Sequence, residues 1–282
     1  MTEPRAIDAL LQLMSRLRHP TQGCDWDRAQ SFTSIVPHTI EEAYELAQAV
    51  ADAQPDAEDA GAGRPIEHIR EELGDLLFQV VFLARLGEER GWFDFESVAR
   101  GIHTKLIQRH PHLFADAPVA GTAALSRQWD DGKRRERVAA GLTGALAGVP
   151  RALPALSRAA KLGRRAAGQG FDWERADGPR RKLDEELAEF DLAVAGGDAR
   201  AIDDELGDLL FSVVNLARHH GRDPEAALRA ANDKFERRFA VMEAIGAEQG
   251  IDLATLDPAA WESLWQAAKQ RLAAAPARHG PG

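Results

Sequence analysis

Along most of the chain the apolar residues recur at the spacing of one helix face. Ile7, Leu10, Leu11, Met14 and Leu17 follow the i, i+3, i+4, i+7 rule and predict a first amphipathic helix. No alternating run of Val, Ile and Thr bounded by turn residues competes with that period. Ala, Leu, Glu and Arg, all good helix formers, dominate the sequence, so an all-α fold is expected. Three segments interrupt the pattern: Asp52 to Pro65, Gly141 to Pro154 and Ala273 to Gly282, all rich in Gly, Pro and small residues. They read as a loop, an interdomain linker and a flexible tail. The expected layout is a first domain over 1–140 with its loop at 52–65, a linker at 141–154, a second domain over 155–272 and a tail at 273–282.

The two expected domains repeat one another. Glu72-Leu-Gly-Asp75-Leu-Leu-Phe-Gln-Val-Val-Phe-Leu-Ala-Arg85 returns as Glu205-Leu-Gly-Asp208-Leu-Leu-Phe-Ser-Val-Val-Asn-Leu-Ala-Arg218. Upstream, Gly23-Cys-Asp25-Trp26 matches Gly170-Phe-Asp172-Trp173, and Glu41-Glu42-x-x-Glu45 matches Glu185-Glu186-x-x-Glu189. Downstream, Lys105-x-x-x-Arg109 matches Lys234-x-x-x-Arg238, and Trp129-x-x-x-Lys133 matches Trp265-x-x-x-Lys269. The motifs keep their order, which identifies a duplicated helical-bundle domain.

Acids stand out within the repeat. Glu42 and Glu45, like Glu186 and Glu189, lie three apart on one helix; Glu72 and Asp75, like Glu205 and Asp208, lie three apart on a later one. On facing surfaces of a helix pair these carboxylates would offer hard oxygen ligands for Mg²⁺, with Mn²⁺ as a substitute, and leave positions for water and phosphate. Such acid pairs also occur on solvated helices, and Thr39-x-x-Glu42 fits a capping box. Asp75 and Asp208 sit within Leu-Gly-Asp-Leu-Leu-Phe and are expected to be buried, where an unpaired carboxylate costs several kcal/mol. Gly74 and Gly207 are expected to admit a closely packed helix.

Charge narrows the partners. With 35 Lys and Arg against 45 Asp and Glu, the net charge is −10, which repels a nucleic-acid backbone but admits an anionic substrate wherever a cation reverses the local field. The single cysteine, Cys24, builds neither a disulfide framework nor a Cys-rich zinc site and suits a reducing, cytoplasmic location. Met1 to Leu17 carries Glu3, Arg5, Asp8 and Arg16 among its apolar residues, unlike a signal peptide, and no stretch is apolar enough to span a bilayer.

ExxE followed by ELGDLLF and K-x-x-x-R, twice over, with Arg109-His-Pro-His-Leu-Phe114 after the first copy, resembles the tandem-domain MazG family of nucleoside triphosphate pyrophosphohydrolases. The resemblance implies an all-α fold, usually a homodimer, in which Mg²⁺ held by four acids assists attack of water on the α-phosphorus of a nucleoside triphosphate. The products would be a nucleoside monophosphate and pyrophosphate, from a broad range of bases, with removal of non-standard nucleotides as the implied role. The implied ligands are Glu186, Glu189, Glu205 and Asp208 in the second domain and Glu42, Glu45, Glu72 and Asp75 in the first. Glu185, like Glu41 in the first domain, stands beside them as a candidate water-orienting base. Lys161 and Lys182 match cationic positions of the family's second domain, and its aromatic next to Lys269, here Trp265, stacks on the base, although plain helix packing would also account for Trp265. Lys234 and Arg238, four apart, would neutralise the triphosphate or else form a solvated face.

The halves differ around this shared frame. Lys182 precedes its Glu pair by three residues, whereas the first domain has Thr39 two before its own and no lysine nearby; Asn232, a candidate phosphate or sugar contact, is replaced by His103. Most hydrolysis is therefore expected in the second domain. A reading of a different class is a regulatory helical scaffold that binds nucleotides with little turnover. Arg70-Glu-Glu-Leu-Gly74 has a superficial likeness to the Nudix box, but the longer pattern is missing; no phosphate-binding Gly-rich loop ends in Lys-Ser/Thr. His110, His112, His219 and His220 read as helix-end or surface residues, and Lys133-Arg-Arg-Glu-Arg137 as a solvated face, with a nucleotide contact through Lys133 as the alternative.

Overall fold

The computed structural model describes residues 5–53, 63–114, 121–175 and 177–274. Twelve α-helices run in order among them: α1 (Ala6–Leu17), α2 (Asp25–Ala29), α3 (Phe32–Ala53), α4 (Arg64–Glu89), α5 (Phe95–Arg109), α6 (Pro111–Phe114), α7 (Thr122–Ala139), α8 (Ala155–Ala167), α9 (Asp177–Gly196), α10 (Ala199–His219), α11 (Pro224–Gln249) and α12 (Pro258–Ala274). No strand is present among the described residues, so the all-α expectation holds. The chain divides into two compact units, Met1–Arg134 and Arg135–Gly282, and the division falls within α7.

In the first unit α3 and α4 pack along one another, and α1 and α5 lie against α4. Met14, Ile35, Val81, Phe82 and Leu86 form the buried cluster, flanked by the α1 residues Ile7, Leu10 and Leu11. The predicted helical face of α1 is thus the one that enters the core. Asp94 and Ser97 cap α5 reciprocally, through Ser97 N to Asp94 Oδ1 at 2.8 Å and Asp94 N to Ser97 Oγ at 3.0 Å. Thr39 caps nothing, because α3 starts upstream at Phe32 and the Thr39 hydroxyl donates to the Ile35 carbonyl at 3.1 Å. The segment expected as a loop from Asp52 to Pro65 is helical at its ends; 54–62 lie outside the described residues. So do 275–282 of the expected tail, whereas Ala273 and Ala274 still belong to α12.

In the second unit α9 and α10 form a hairpin, with α8 packed on α10 and α11, and α12 on α11. The turn between α9 and α10 is two residues long. Gly197 takes it at φ +70°, where a side chain would strain the backbone, and Asp198 then accepts from Arg200 N at 3.0 Å. So short a connection forces antiparallel neighbours and fixes which faces of α9 and α10 meet. Met242, Ile245, Leu264 and Ala268 form the buried cluster of this unit. Residues 141–154 make turns rather than an open tether: Val149 is buried, and the Arg165 guanidinium donates to the carbonyls of Ala145 and Ala147 at 3.2 and 3.4 Å.

The Gly-x-Asp-Trp motif plays different parts in the two units. Asp172 receives both arms of the Arg218 guanidinium, at 2.8 and 2.5 Å, and faces His219 Nε2 at 2.9 Å. These bonds hold its carboxyl far below the usual carboxylate range, the Arg218 bond contributing most. Among the described residues Asp25 meets only Arg28, one turn along its own helix at 3.1 Å. In the first unit the anchoring fork is instead Arg18, which grips Glu89 at 2.9 and 2.7 Å and lies 5.2 Å over the Phe82 ring.

Candidate metal and nucleotide site

The helix pairs bring together most of the acids singled out by spacing. Carboxylate oxygens of Glu42, Glu45 and Glu72 lie within 4.8 Å of one another across α3 and α4; those of Glu186, Glu205 and Asp208 do so across α9 and α10. Asp75 stands near enough to raise the Glu42 pKa by its charge, as do Glu45 and Glu72, although burial is the larger cause and the Gln79 hydrogen bond opposes it. Glu189 is likewise pushed up, first by burial and then by the charges of Glu186 and Glu205, against the pull of Lys182. Like charges gathered this closely favour a divalent cation. Glu72 is buried, and its Oε2 has no hydrogen-bond partner among the described residues. An orphaned carboxylate oxygen beside two further carboxylates fits a hard metal ion.

Two expectations need correction. Asp75 and Asp208 are exposed, and the buried members of the two acid sets are Glu72 and Glu186. The apolar residues around Asp75 and Asp208 do not bury them, because Leu73 (51 % exposed) and Leu210 (50 % exposed) themselves face outward. No helix packs closely on Gly74 or Gly207 among the described residues: a Cβ on either would meet nothing within 4 Å.

In the second unit Lys182 Nζ bridges Glu185 and Glu186 at 2.6 and 2.8 Å, and the Glu185 bond leads in raising the lysine's pKa. The Arg238 guanidinium lies 5.2 Å over the ring of Trp265, which also packs against the core cluster beside Phe235. Packing and access are therefore compatible for Trp265, which stays partly exposed. Lys161, Asn232, Lys234 and Lys269 make no ion pair or side-chain hydrogen bond with another described residue. The structure thus joins Lys182 to the acids and Arg238 to Trp265, and joins none of the other four to either.

Three residues near the first acid set escaped the sequence reading. His38 occupies the position of Lys182, three before the Glu pair, with Nδ1 3.6 Å from Glu41. His68 Nδ1 lies 3.3 Å from Glu72, at i, i+4 spacing, where the second unit has Ala201. Gln79 Nε2 donates to Glu42 at 3.3 Å, in the place of Ser212. Counting nine residues back from Gly170 and from Gly23 pairs Lys161 with Met14, which is wholly buried. Register against the repeat was the signal that could have found His38 and Met14.

The chain is also similar in sequence to known proteins. The model of the MazG nucleotide pyrophosphohydrolase domain matches residues 30–114 and again 179–240, each match containing one acid set. A nucleoside triphosphate pyrophosphohydrolase of Escherichia coli K12 is 43% identical over 94% of this chain and 97% of its own length. A protein of Thermotoga maritima named nucleoside triphosphate pyrophosphohydrolase/pyrophosphatase MazG is 39% identical over 93% of this chain and 95% of its own length. A Mycolicibacterium smegmatis nucleoside triphosphate pyrophosphohydrolase is 33% identical over 60% of this chain and 48% of its own. With the helix pair, the acids and the ordered motifs present twice, the chain belongs to the MazG family.

Proposed function

We propose that the chain is an Mg²⁺-dependent nucleoside triphosphate pyrophosphohydrolase that releases a nucleoside monophosphate and pyrophosphate, with most turnover in its second half. The observation that carries this reading is the set of Glu186, Glu205 and Asp208 oxygens within 4.8 Å in the half that also keeps Lys161, Lys182, Lys234, Arg238 and Lys269. Those three acids, with Glu189, would hold the ion. Bound Mg²⁺, or Mn²⁺ in its place, neutralises phosphate oxygens and acidifies a bound water. Glu185 would orient the attacking water and take its proton once Lys182 turns from the carboxylates to the phosphates. Lys161, Lys234, Arg238 and Lys269 would offset the triphosphate charge, Asn232 would hydrogen-bond phosphate or sugar, and Trp265 would stack on the base whatever its identity. Such tolerance suits the clearance of non-standard nucleotides. In the first half, His38 for Lys182, Met14 for Lys161 and His103 for Asn232 leave the acids Glu42, Glu45, Glu72 and Asp75 with fewer cations for a triphosphate.

Product analysis tests the reading: stoichiometric monophosphate and pyrophosphate, arrested by EDTA and restored by Mg²⁺, is expected. Release of orthophosphate and a diphosphate would refute it. Binding without any turnover would favour the scaffold alternative. The outward apolar faces of α4 and α10 around Leu73 and Leu210 support a homodimer that covers them. Light scattering should then give twice 30.8 kDa, and a single 30.8 kDa species would exclude the dimer. Among the described residues no helix is long and apolar enough to cross a membrane, and the exposed thiol of Cys24 suits a reducing compartment.

A further inference from the structure

On the reading of the two acid sets as metal sites, we infer that they take up their divalent ions differently. The first half holds an ion without nucleotide, positioned by His68, whereas the second gains its ion together with the triphosphate. In the second half a competitor for the ion is built in. Lys182 Nζ lies 2.8 Å from Glu186, a member of the oxygen cluster, and 2.6 Å from Glu185 beside it. The Glu186 side chain is only 6% exposed, so an ammonium group satisfies its carboxylate where water hardly reaches. A divalent ion bound there competes with that ammonium for the carboxylate, and Mg²⁺ sheds its own water reluctantly. A triphosphate removes the obstacle by offering Lys182 a denser anion, so that ion and substrate enter together.

The first half has no ammonium in that place. His38 holds the register position of Lys182, and its Nδ1 faces Glu41, outside the cluster, at 3.6 Å. Residues 54–62, which join α3 to α4, contain neither Lys nor Arg. An amide and an imidazole reach the first acid set instead: Gln79 Nε2 donates to Glu42 at 3.3 Å, and His68 Nδ1 lies 3.3 Å from Glu72 Oε1 and 3.8 Å from Glu71. Glu72 is 8% exposed, and its Oε2 has no hydrogen-bond partner among the described residues. One oxygen of Glu72 is thus engaged from behind, and the other is left for a cation that would offset its burial. Ligating carboxylates steadied in this way hold metal more tightly, and the second half has Ala201 and Ser212 at the positions of His68 and Gln79. Protein oxygens and water then suffice for the first ion, with no phosphate required.

The test is Mn²⁺ binding to the full chain without nucleotide, read from the electron paramagnetic resonance of the unbound ion. The wild type should take up one Mn²⁺ per chain at least about tenfold more tightly than a second. Glu72→Gln should abolish the tight site, and Glu205→Gln should leave it intact. His68→Ala, at an exposed position, should loosen the tight ion about tenfold or more, and His68→Asn, which keeps an N–H donor at the same distance along the side chain, should restore most of the affinity. Lys182→Ala should tighten the second ion about tenfold, because its competitor is gone. Two equal ions in the wild type, a tight ion lost in Glu205→Gln, a tight ion indifferent to His68→Ala, or a weak one indifferent to Lys182→Ala would each overturn the inference. Uptake of no Mn²⁺ at all would instead refute the metal reading of both acid sets, so the two failures are distinct.

Discussion

Glu205→Gln is expected to lower kcat/KM for nucleoside triphosphates by at least about 10³-fold, while Glu72→Gln leaves it within about twofold. Both residues sit at the same place in the repeat, and each contributes an oxygen to a cluster spanning 4.8 Å, so their difference comes from what surrounds them. Beside Glu205 stands a half that retains Lys161, Lys182, Lys234, Arg238 and Lys269. Beside Glu72 stands His68 at 3.3 Å, in a half where buried Met14 holds the register position of Lys161. Steady-state kinetics on the two variants decide the matter, with circular dichroism to show that both keep their helices. Unchanged turnover in Glu205→Gln together with its loss in Glu72→Gln would move the active site to the first half.

Asp172→Ala should destabilise the second unit by about 2 kcal/mol, whereas Asp25→Ala at the matching position should cost less than about 0.5 kcal/mol. The Arg218 side chain is only 12% exposed, so losing Asp172 leaves a guanidinium without its fork in a largely dry place. For a unit of this size the loss lowers the melting midpoint by roughly 6 °C. The pH dependence follows from the direction of the shift. The Asp172 carboxyl is held below its usual value in the fold, so the folded state binds its proton less readily than the unfolded chain. Its contribution is complete above the ordinary carboxylate pKa and is lost as pH falls below it. Urea midpoints of wild type and Asp172→Asn should therefore converge on acidification below about pH 4. Curves that stay parallel into strong acid would show that Asp172 is not the group responsible.

The fold was legible because it rests on periodicity and repetition, which a chain displays locally. The α1 face from Ile7 to Leu17, the two ELGDLLF copies and the acid spacings all translate directly into helices and facing carboxylates. Exposure was less legible. Apolar neighbours made Asp75 and Asp208 look buried, but whether a helix face is covered depends on what packs there, and the space outside Gly74 and Gly207 is empty among the described residues. Long-range partners were not legible either. Asp172 and Arg218 are separated by 46 residues, and no local period ties them. His38, His68 and Gln79 are single polar residues whose significance lies only in the carboxylate each one reaches.

The turns over residues 141–154 bear on how the protein can be divided. Their composition suggests a dispensable tether, yet Arg165 is tied to the carbonyls of Ala145 and Ala147, and Val149 is buried. A C-terminal fragment begun at residue 155 would strip α8 of those acceptors and uncover the surface beneath Val149. One begun at Arg135, where the second compact unit starts, carries its own seal. The stretch most like a linker in composition is, in its bonding, the first part of the domain it precedes.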